Sequence, residues 1–198
     1  MTETVAALER ANRLVAETAS VGTPLHFSVL YGLWVSNLNA GAIAAALEHA
    51  TNCLSVAQAQ PSSGPLLVGH RALALSLMCS GDYPAALAHF ETAASLYRPD
   101  EHRDSAFRYG QDIGVSAFAQ LSWALWHRGY PDQSARAADR ALAYSRQLGY
   151  AHTLAFALGL AGVAAVFARD AATACAYGND CVALASEHGC VSACKFDP

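Results

Sequence analysis

The stretch from Gly64 to Gly69, followed by His70 and Arg71, has the glycine spacing of a phosphate-binding loop. Such a loop needs a lysine and a hydroxyl residue after its second glycine, because those side chains reach the phosphates and the magnesium ion. A histidine and an arginine stand in those places here, and Pro65 with the apolar run behind it is typical of a helix start. The sequence therefore argues against nucleotide binding at this stretch.

The eight histidines are scattered along the chain, mostly one to a helix. A histidine that acts as a general base needs a partner that orients it, and no carboxylate recurs at a fixed sequence distance from these residues. The HExxH and GxSxG motifs are absent from the sequence as well. We therefore expect no enzymatic activity and no cofactor.

The six cysteines contain no CxxC pair and have no regular spacing. His49 and Cys53 lie four residues apart, and His188, Cys190 and Cys194 cluster near the end of the sequence. Neither group supplies the four ligands that a structural zinc ion requires. We expect free thiols packed as small apolar residues, and no metal site.

A polar segment from Pro99 to Asp112 contains Arg108 and Tyr109. If this segment folds over a binding surface, its arginine is available to a carboxylate or a phosphate. The structural alternative is that Asp112 caps the next helix and Gly110 supplies the turn before it. The sequence leaves both alternatives open.

The composition excludes several classes of protein. Apolar residues make up 54% of the chain and charged residues 14%, and the formal net charge is −4 with no block of like charges, so nothing attracts nucleic acid or an anionic membrane. The longest apolar run, from Leu154 to Ala168, is shorter than the ~20 residues that a membrane-spanning helix needs. The first twenty residues carry charges that the core of a signal peptide lacks. We expect a cytoplasmic protein with no nucleic-acid partner and no membrane association.

The elements that must position these residues are helical hairpins. The stretch from Leu73 to Tyr97 is the clearest one, because its small and apolar residues recur at helical spacing on both sides of a glycine turn. The residues concerned are Ala74 and Leu77 before the turn, Gly81 to Tyr83 in it, and Ala86, Phe90 and Ala93 after it. This pattern predicts two closely packed antiparallel helices.

Four such hairpins follow an N-terminal helix that we predict over residues 2–20. The predicted pairs are 24–39 with 42–60, the hairpin within 65–98, 113–128 with 131–148, and 150–168 with 171–188. Thr23 is the candidate N-cap of the second helix, with Pro24 in its first position. Aligning the turns at Gly41, Gly81, Gly129 and Asp170 gives spacings of 40, 48 and 41 residues.

The residues around the turns at Gly81 and Gly41 match the second-helix positions of tetratricopeptide repeats, whereas the match fades at Ser134, Ala138 and Ala141 and is faint at Cys175. The spacing exceeds the about 34 residues of the standard unit and approaches the ~40 to 47 of HEAT-like units, which helices lengthened by about a turn would explain. Trp34 departs from the motif, which has a small residue there. The predicted fold is all-α: a tetratricopeptide-like α-solenoid of about four antiparallel helix pairs plus an N-terminal helix, in one domain over 1–189, followed by an irregular tail over 190–198.

Three longer stretches resemble one particular family. They are GHRALALSLMCSGDYPAALAHF, HRDSAFRYGQDIGVSAFAQLSWALWHRGYPDQS and ALAYSRQLGYAHTLAFAL. Together they resemble the tetratricopeptide-rich C-terminal region of bacterial multidomain proteins that carry a class III adenylate/guanylate cyclase domain and an AAA-type ATPase domain. The resemblance covers most of residues 25–188 and implies a regulatory or sensing module. The final CVSACKFDP departs from the helical pattern.

The function that we expect is a non-enzymatic scaffold that binds a protein or peptide partner in a concave groove, because stacked repeats leave an extended surface open. Residues expected on that groove are Tyr31, Asn39, Arg71, Trp123 and His127. The alternatives are structural: Arg71 can pack its stem on the next hairpin, and Trp123 can belong to the core. A second functional hypothesis is a small-molecule sensor whose pocket is lined by Arg71, Arg108 and Tyr109. Self-association is a third.

Overall fold

The computed structural model describes residues 3–18, 20–102 and 104–188. These residues form eleven helices and no strand, so the prediction of an all-α fold is confirmed. The chain divides into two compact units, one up to Leu96 and one from Tyr97 onward. The tail that we expected to be irregular lies outside the described residues.

Unit 1 contains five helices, each packed against the next along the chain. They are α1 Glu3–Glu17, α2 Pro24–Asn39, α3 Ile43–Gln58, α4 Ser63–Cys79 and α5 Tyr83–Leu96. The predicted start of α2 is confirmed, because Thr23 Oγ1 accepts a hydrogen bond from the His26 N–H (3.4 Å) and Pro24 occupies the first position. Helix α4 begins two residues before the predicted Pro65, which therefore sits in the first turn, where its missing N–H would have no acceptor.

Unit 2 contains two short helices followed by two hairpins. They are α6 Pro99–His102, α7 Ser105–Tyr109, α8 Ile113–His127, α9 Pro131–Leu148, α10 Ala151–Phe167 and α11 Ala171–His188. Asp112 is buried and its Oδ1 accepts from the Val115 N–H (2.9 Å), while Gly110 has a φ of 75°. The structural alternative for the polar segment is thus confirmed at these two residues.

All four hairpins turn in the same way. In each, one residue has a positive φ, and the N–H of the next residue donates to the carbonyl five residues before it at 2.9 Å. This bond closes a Schellman motif, which satisfies a carbonyl at the end of the first helix. The donor and acceptor pairs are Ala42 with Asn37, Asp82 with Leu77, Tyr130 with Leu125, and Asp170 with Ala165.

The fourth turn differs from the prediction by one residue. Glycine holds the positive φ in the first three turns, but Arg169 holds it in the fourth, with a φ of 57°. Asp170, which we aligned with the glycines, is instead the capping residue of α11: its Oδ1 accepts from the Thr173 N–H at 3.0 Å. The alignment was wrong there because no glycine marks the turn, and the true spacing of the last two turns is 40 residues.

The core of unit 2 closes around an aromatic cluster. The Tyr97 ring is buried and meets the rings of Phe118 and Tyr144 edge-on, at centroid distances of 6.2 and 5.3 Å. The Arg140 guanidinium lies 4.3 Å from the centre of the Phe118 ring. Gly114 lets α8 pass directly against the Tyr97 ring, which occupies the space that a β-carbon would take. This packing fixes the start of α8, the helix that carries Trp123 and His127.

Among the described helices, none combines the length and the hydropathy that crossing a bilayer would require.

Candidate functional site

Three side chains of unit 2 form an aromatic patch on two neighbouring helices. We define it as Trp123 and His127 on α8 together with Phe167 on α10. Helices α8 and α10 are the first helices of consecutive hairpins and pack against each other. The Phe167 ring meets Trp123 and His127 edge-on, at centroid distances of 6.2 and 4.9 Å. The structure thus brings together Trp123 and His127, two of the residues predicted to bind a partner, and places Phe167 beside them.

Hydrogen bonds hold the aromatic patch in place. The Trp123 indole Nε1–H donates to the Leu160 carbonyl of α10 (2.9 Å). The His127 Nδ1 lies 2.8 Å from the Trp123 carbonyl, and because a carbonyl only accepts, this nitrogen carries the proton. Trp123 and Phe167 are half-buried and His127 is exposed. The patch therefore offers fixed ring surface with one polar edge, which suits an apolar or aromatic side chain of a partner.

Phe167 was missed because it lies inside the longest apolar run of the sequence. Seven of the fifteen residues of that run are buried, and the apolar sequence alone does not separate the residue that belongs to the patch from the others. The distance between the Phe167 and Trp123 rings also depends on tertiary packing, because the two residues belong to different hairpins. A register aligned on the correct fourth turn would have placed both near the ends of equivalent first helices.

The predicted residue Arg71 lies in a buried cluster between α2 and α4 in unit 1. Its side chain is 3% exposed, and its Cζ lies 5.4 Å from the centre of the Trp34 ring. Burial lowers the pKa of the guanidinium, and a hydrogen bond with Tyr31 opposes that shift. Arg71 is therefore a buried packing residue, and its partners Tyr31 and Trp34 lie on α2 of the preceding hairpin, not on the next hairpin as the packing alternative had it.

Trp34, the departure from the repeat motif, is the other half of this cluster. Its Nε1–H donates to the Ser76 hydroxyl of α4 (2.9 Å), and that hydroxyl donates to the Ala72 carbonyl (3.0 Å). Trp34 is 2% exposed and packs against Tyr31 at a centroid distance of 5.2 Å. A large residue fits here because serine and alanine on α4 leave the space for it.

The remaining predicted residues are Tyr31, which belongs to the cluster of Arg71 and Trp34, Asn39 at the end of α2, and Arg108 and Tyr109 on α7. Tyr31 is half-buried beside Trp34, and Asn39 is exposed at the last position of α2. On α7, Arg108 is exposed and Tyr109 half-buried. Their neighbour Phe107 is 76% exposed and touches the Tyr150 ring edge-on (5.4 Å). A binding role for these residues remains a prediction.

Two clefts of unit 2 lie where α9, α10 and α11 meet. The first has a volume of about 290 Å³ and is lined by apolar residues of α10 and α11 with Arg146, Asp180 and Glu187. The second has a volume of about 190 Å³ and is lined mainly by alanines, with Trp126 and Tyr177. Ligand sites usually span ~300 to 1,000 Å³, so the first cleft lies at the lower limit of that range and the second lies below it.

The thiols of the described residues are free, as expected. Cys53 and Cys181 are buried, and Cys79 and Cys175 are exposed. Burial raises the pKa of the Cys53 thiol to about 12, so it is a poor nucleophile in the folded state. The described residues contain no cluster of three metal-ligating side chains, and Cys190 and Cys194 lie outside them.

Comparison by sequence finds no protein-family model that matches this chain and no curated protein that matches it either. Comparison by structure finds similar folds. The nearly identical TPR-like repeats of a kinesin light chain protein from Podosopora anserina have a TM-score of 0.63 at 16% identity, covering 93% of this chain and 86% of that one. MamA has a TM-score of 0.53 at 12% identity, covering 92% and 89%.

A Rap protein in complex with competence and sporulation factor has a TM-score of 0.70 at 14% identity. The match covers 90% of this chain and 47% of the Rap chain, so this chain spans about half of that protein's length. These likenesses, together with the four equivalent turns, show that the chain has a tetratricopeptide-like helical-repeat fold.

Proposed function

We propose that this chain is a non-enzymatic scaffold of the cytoplasm that docks a protein or peptide segment on the aromatic patch of Trp123, His127 and Phe167. The observation that carries the proposal is that a tryptophan held by a hydrogen bond to the next hairpin still keeps part of its ring in solvent. Tryptophan is enriched among the few residues that supply most of the binding energy of an interface.

The patch is prepared for binding before a partner arrives. Because the indole Nε1–H is already bonded to the Leu160 carbonyl, docking costs little further side-chain entropy. The ring faces then contribute apolar area, and the exposed His127 edge contributes a polar contact. The Rap neighbour, solved with competence and sporulation factor, supports the idea that this fold can hold a partner.

The finer proposal is regulatory. The resemblance of residues 25–188 to the C-terminal region of cyclase and ATPase signalling proteins supports a module that reports a docked partner to catalytic domains. Sensing of a small molecule is the alternative, and a thermal-shift screen against metabolites separates the two. A compound that stabilises the wild type but fails to stabilise Arg108→Ala would favour the alternative.

Site-specific photocrosslinking tests the docking proposal. A photoreactive amino acid at position 127 should crosslink one defined protein in a bacterial lysate, and the same group at exposed Gln133 on α9 serves as the control. Aromatic anchors carry much of the binding energy of an interface. Phe167→Ala should therefore lower the affinity for the purified partner by about tenfold or more, while Gln133→Ala leaves that affinity unchanged. Equal crosslinking from both positions, or equal affinities of both variants, would contradict the proposal.

A further inference from the structure

Two histidines face each other across the α4–α5 hairpin of unit 1. The Nδ1 atoms of His70 and His89 are 2.9 Å apart, and both side chains are half-buried. The ring centres are 5.1 Å apart with their planes tilted by 35°. The distance between the ring centres exceeds the distance between the Nδ1 atoms by about two ring radii. The two Nδ1 atoms therefore lie on the facing sides of the rings and point at each other.

This geometry requires the two rings to be in different states. One Nδ1–H must donate a hydrogen bond and the other Nδ1 must accept it. The accepting Nδ1 carries no proton, so at least one imidazole of the pair is neutral. If both rings are protonated, two N–H groups and two positive charges oppose each other at hydrogen-bond distance. This contact, one of those that pack α4 against α5, then becomes repulsive.

The surroundings do not offset a second positive charge. Burial lowers the pKa of both imidazoles, and the charge on His89 lowers that of His70 further. Both carboxylates on the packed helices, Glu48 of α3 and Glu91 of α5, are exposed, and neither contributes to these shifts. The other titratable groups on these helices are His26 and Tyr31 of α2, His49 and Cys53 of α3, Arg71 and Cys79 of α4, and Tyr83 of α5.

A shared metal ion fits this pair less well than a shared proton. Zinc lies ~2.0 Å from each imidazole nitrogen that binds it, so two nitrogens that point at each other across 2.9 Å leave no room for an ion between them. The described residues also bring no third ligand to the pair.

We propose that the His70–His89 pair is a proton-operated latch, which holds the α4–α5 hairpin closed while one ring is neutral and releases it when both rings are protonated. The element that moves is the hairpin, whose first helix also carries Arg71 and Ser76 against α2. Protonation of the histidine pair therefore also affects the packing of α4 against α2.

The direction of the pH dependence follows from linkage. Both histidines have a folded-state pKa below the ordinary value of 6.5, so the unfolded chain takes up protons first as the pH falls. The stability contributed by the pair is present above about pH 6.5 and is lost as the pH falls through the lowered values. Acid therefore opens the latch, and neutral pH closes it.

Histidine titration and unfolding of the full chain test the latch together. The variant His89→Gln keeps a hydrogen-bond donor for His70 and removes the second charge, and His152→Gln, at a half-buried histidine of unit 2, is the matched control. NMR of the imidazole Cε1–H groups should give midpoints below 6.5 for both wild-type residues, and His70 should rise toward 6.5 in His89→Gln. Between pH 7.5 and 5.5 the unfolding equilibrium constant, measured in urea, should rise about tenfold more in wild type than in His89→Gln.

The control variant should retain the wild-type pH dependence. If His89→Gln does not fold, the wild-type titration decides alone: two independent midpoints at or above 6.5 would overturn the latch. An unchanged pH dependence in a folded His89→Gln would overturn it as well. Midpoints below 6.5 that shift as expected would establish it.

Discussion

Gly114 lies at the start of α8, where the helix passes directly against the buried Tyr97 ring. The variant Gly114→Ala should destabilise the protein by about 1 to 3 kcal/mol, because the ring is wedged between Phe118 and Tyr144 and cannot yield to a methyl group. Gly159→Ala is the matched control, since that glycine is also helical but has open space at its β-carbon. It should stabilise by about 0.5 to 1 kcal/mol, and urea unfolding of both variants measures the difference. Two changes of the same sign would contradict the packing described for α8.

At the same scale, the sequence predicted candidate residues better than it predicted their surroundings. Trp123 and His127 were chosen as aromatic and polar residues on one helix face, and they do lie together in the aromatic patch. Arg71 was chosen on the same ground, but it lies beneath Tyr31 and Trp34. Helical periodicity gives the face on which a side chain lies, whereas burial depends on the size of residues in another hairpin. The sequence around Arg71 does not indicate that residues as large as Tyr31 and Trp34 lie against it.

At the scale of elements, Arg169 is the irregular member of an otherwise regular set of turns. A non-glycine residue at positive φ is strained by about 1 to 2 kcal/mol, as Arg169 is here. Glycine removes this strain, but its larger loss of backbone entropy on folding cancels part of the gain. Arg169→Gly should therefore stabilise unit 2 by about 0.5 to 1 kcal/mol in urea unfolding. Arg128→Gly is the control, because it removes the same charge one residue before Gly129, where the backbone is right-handed. A gain in the control equal to that in Arg169→Gly would show that charge, and not strain, is responsible.

Helix boundaries were the most predictable feature of the elements, because glycine and proline mark most of them. Thr23 with Pro24 starts α2, and Gly149 in a left-handed conformation ends α9. Prediction failed where these residues were absent, as at Arg169, or ambiguous, as at Pro65 within the first turn of α4. The His70–His89 contact was beyond reach for another reason. It joins two helices at a distance that depends on how closely they pack, and no sequence pattern pairs one histidine with the other.

At the scale of the whole molecule, repeat proteins gain stability from neighbouring helices, so helices with fewer buried side chains should open first. Helix α3 packs between α2 and α4 and buries five residues, including Cys53. Helix α11 packs on α10 and buries two, Cys181 and Ala185. Each unit thus contains one buried thiol, and the helix that carries it buries more side chains in unit 1 than in unit 2.

Pulsed alkylation in increasing urea at pH 8 converts this difference into a measurement. Iodoacetamide should modify the exposed Cys175 without denaturant, which makes it the internal control, and it should modify Cys79 more slowly because partial burial raises the pKa of that thiol. Cys181 should become reactive at a lower urea concentration than Cys53, whose burial raises the thiol pKa to about 12 and so keeps it unreactive until α3 is released. Tandem mass spectrometry assigns each modified cysteine. Coincident midpoints for Cys53 and Cys181 would mean that both units open in one cooperative step, and earlier labelling of Cys53 would reverse the order that burial predicts.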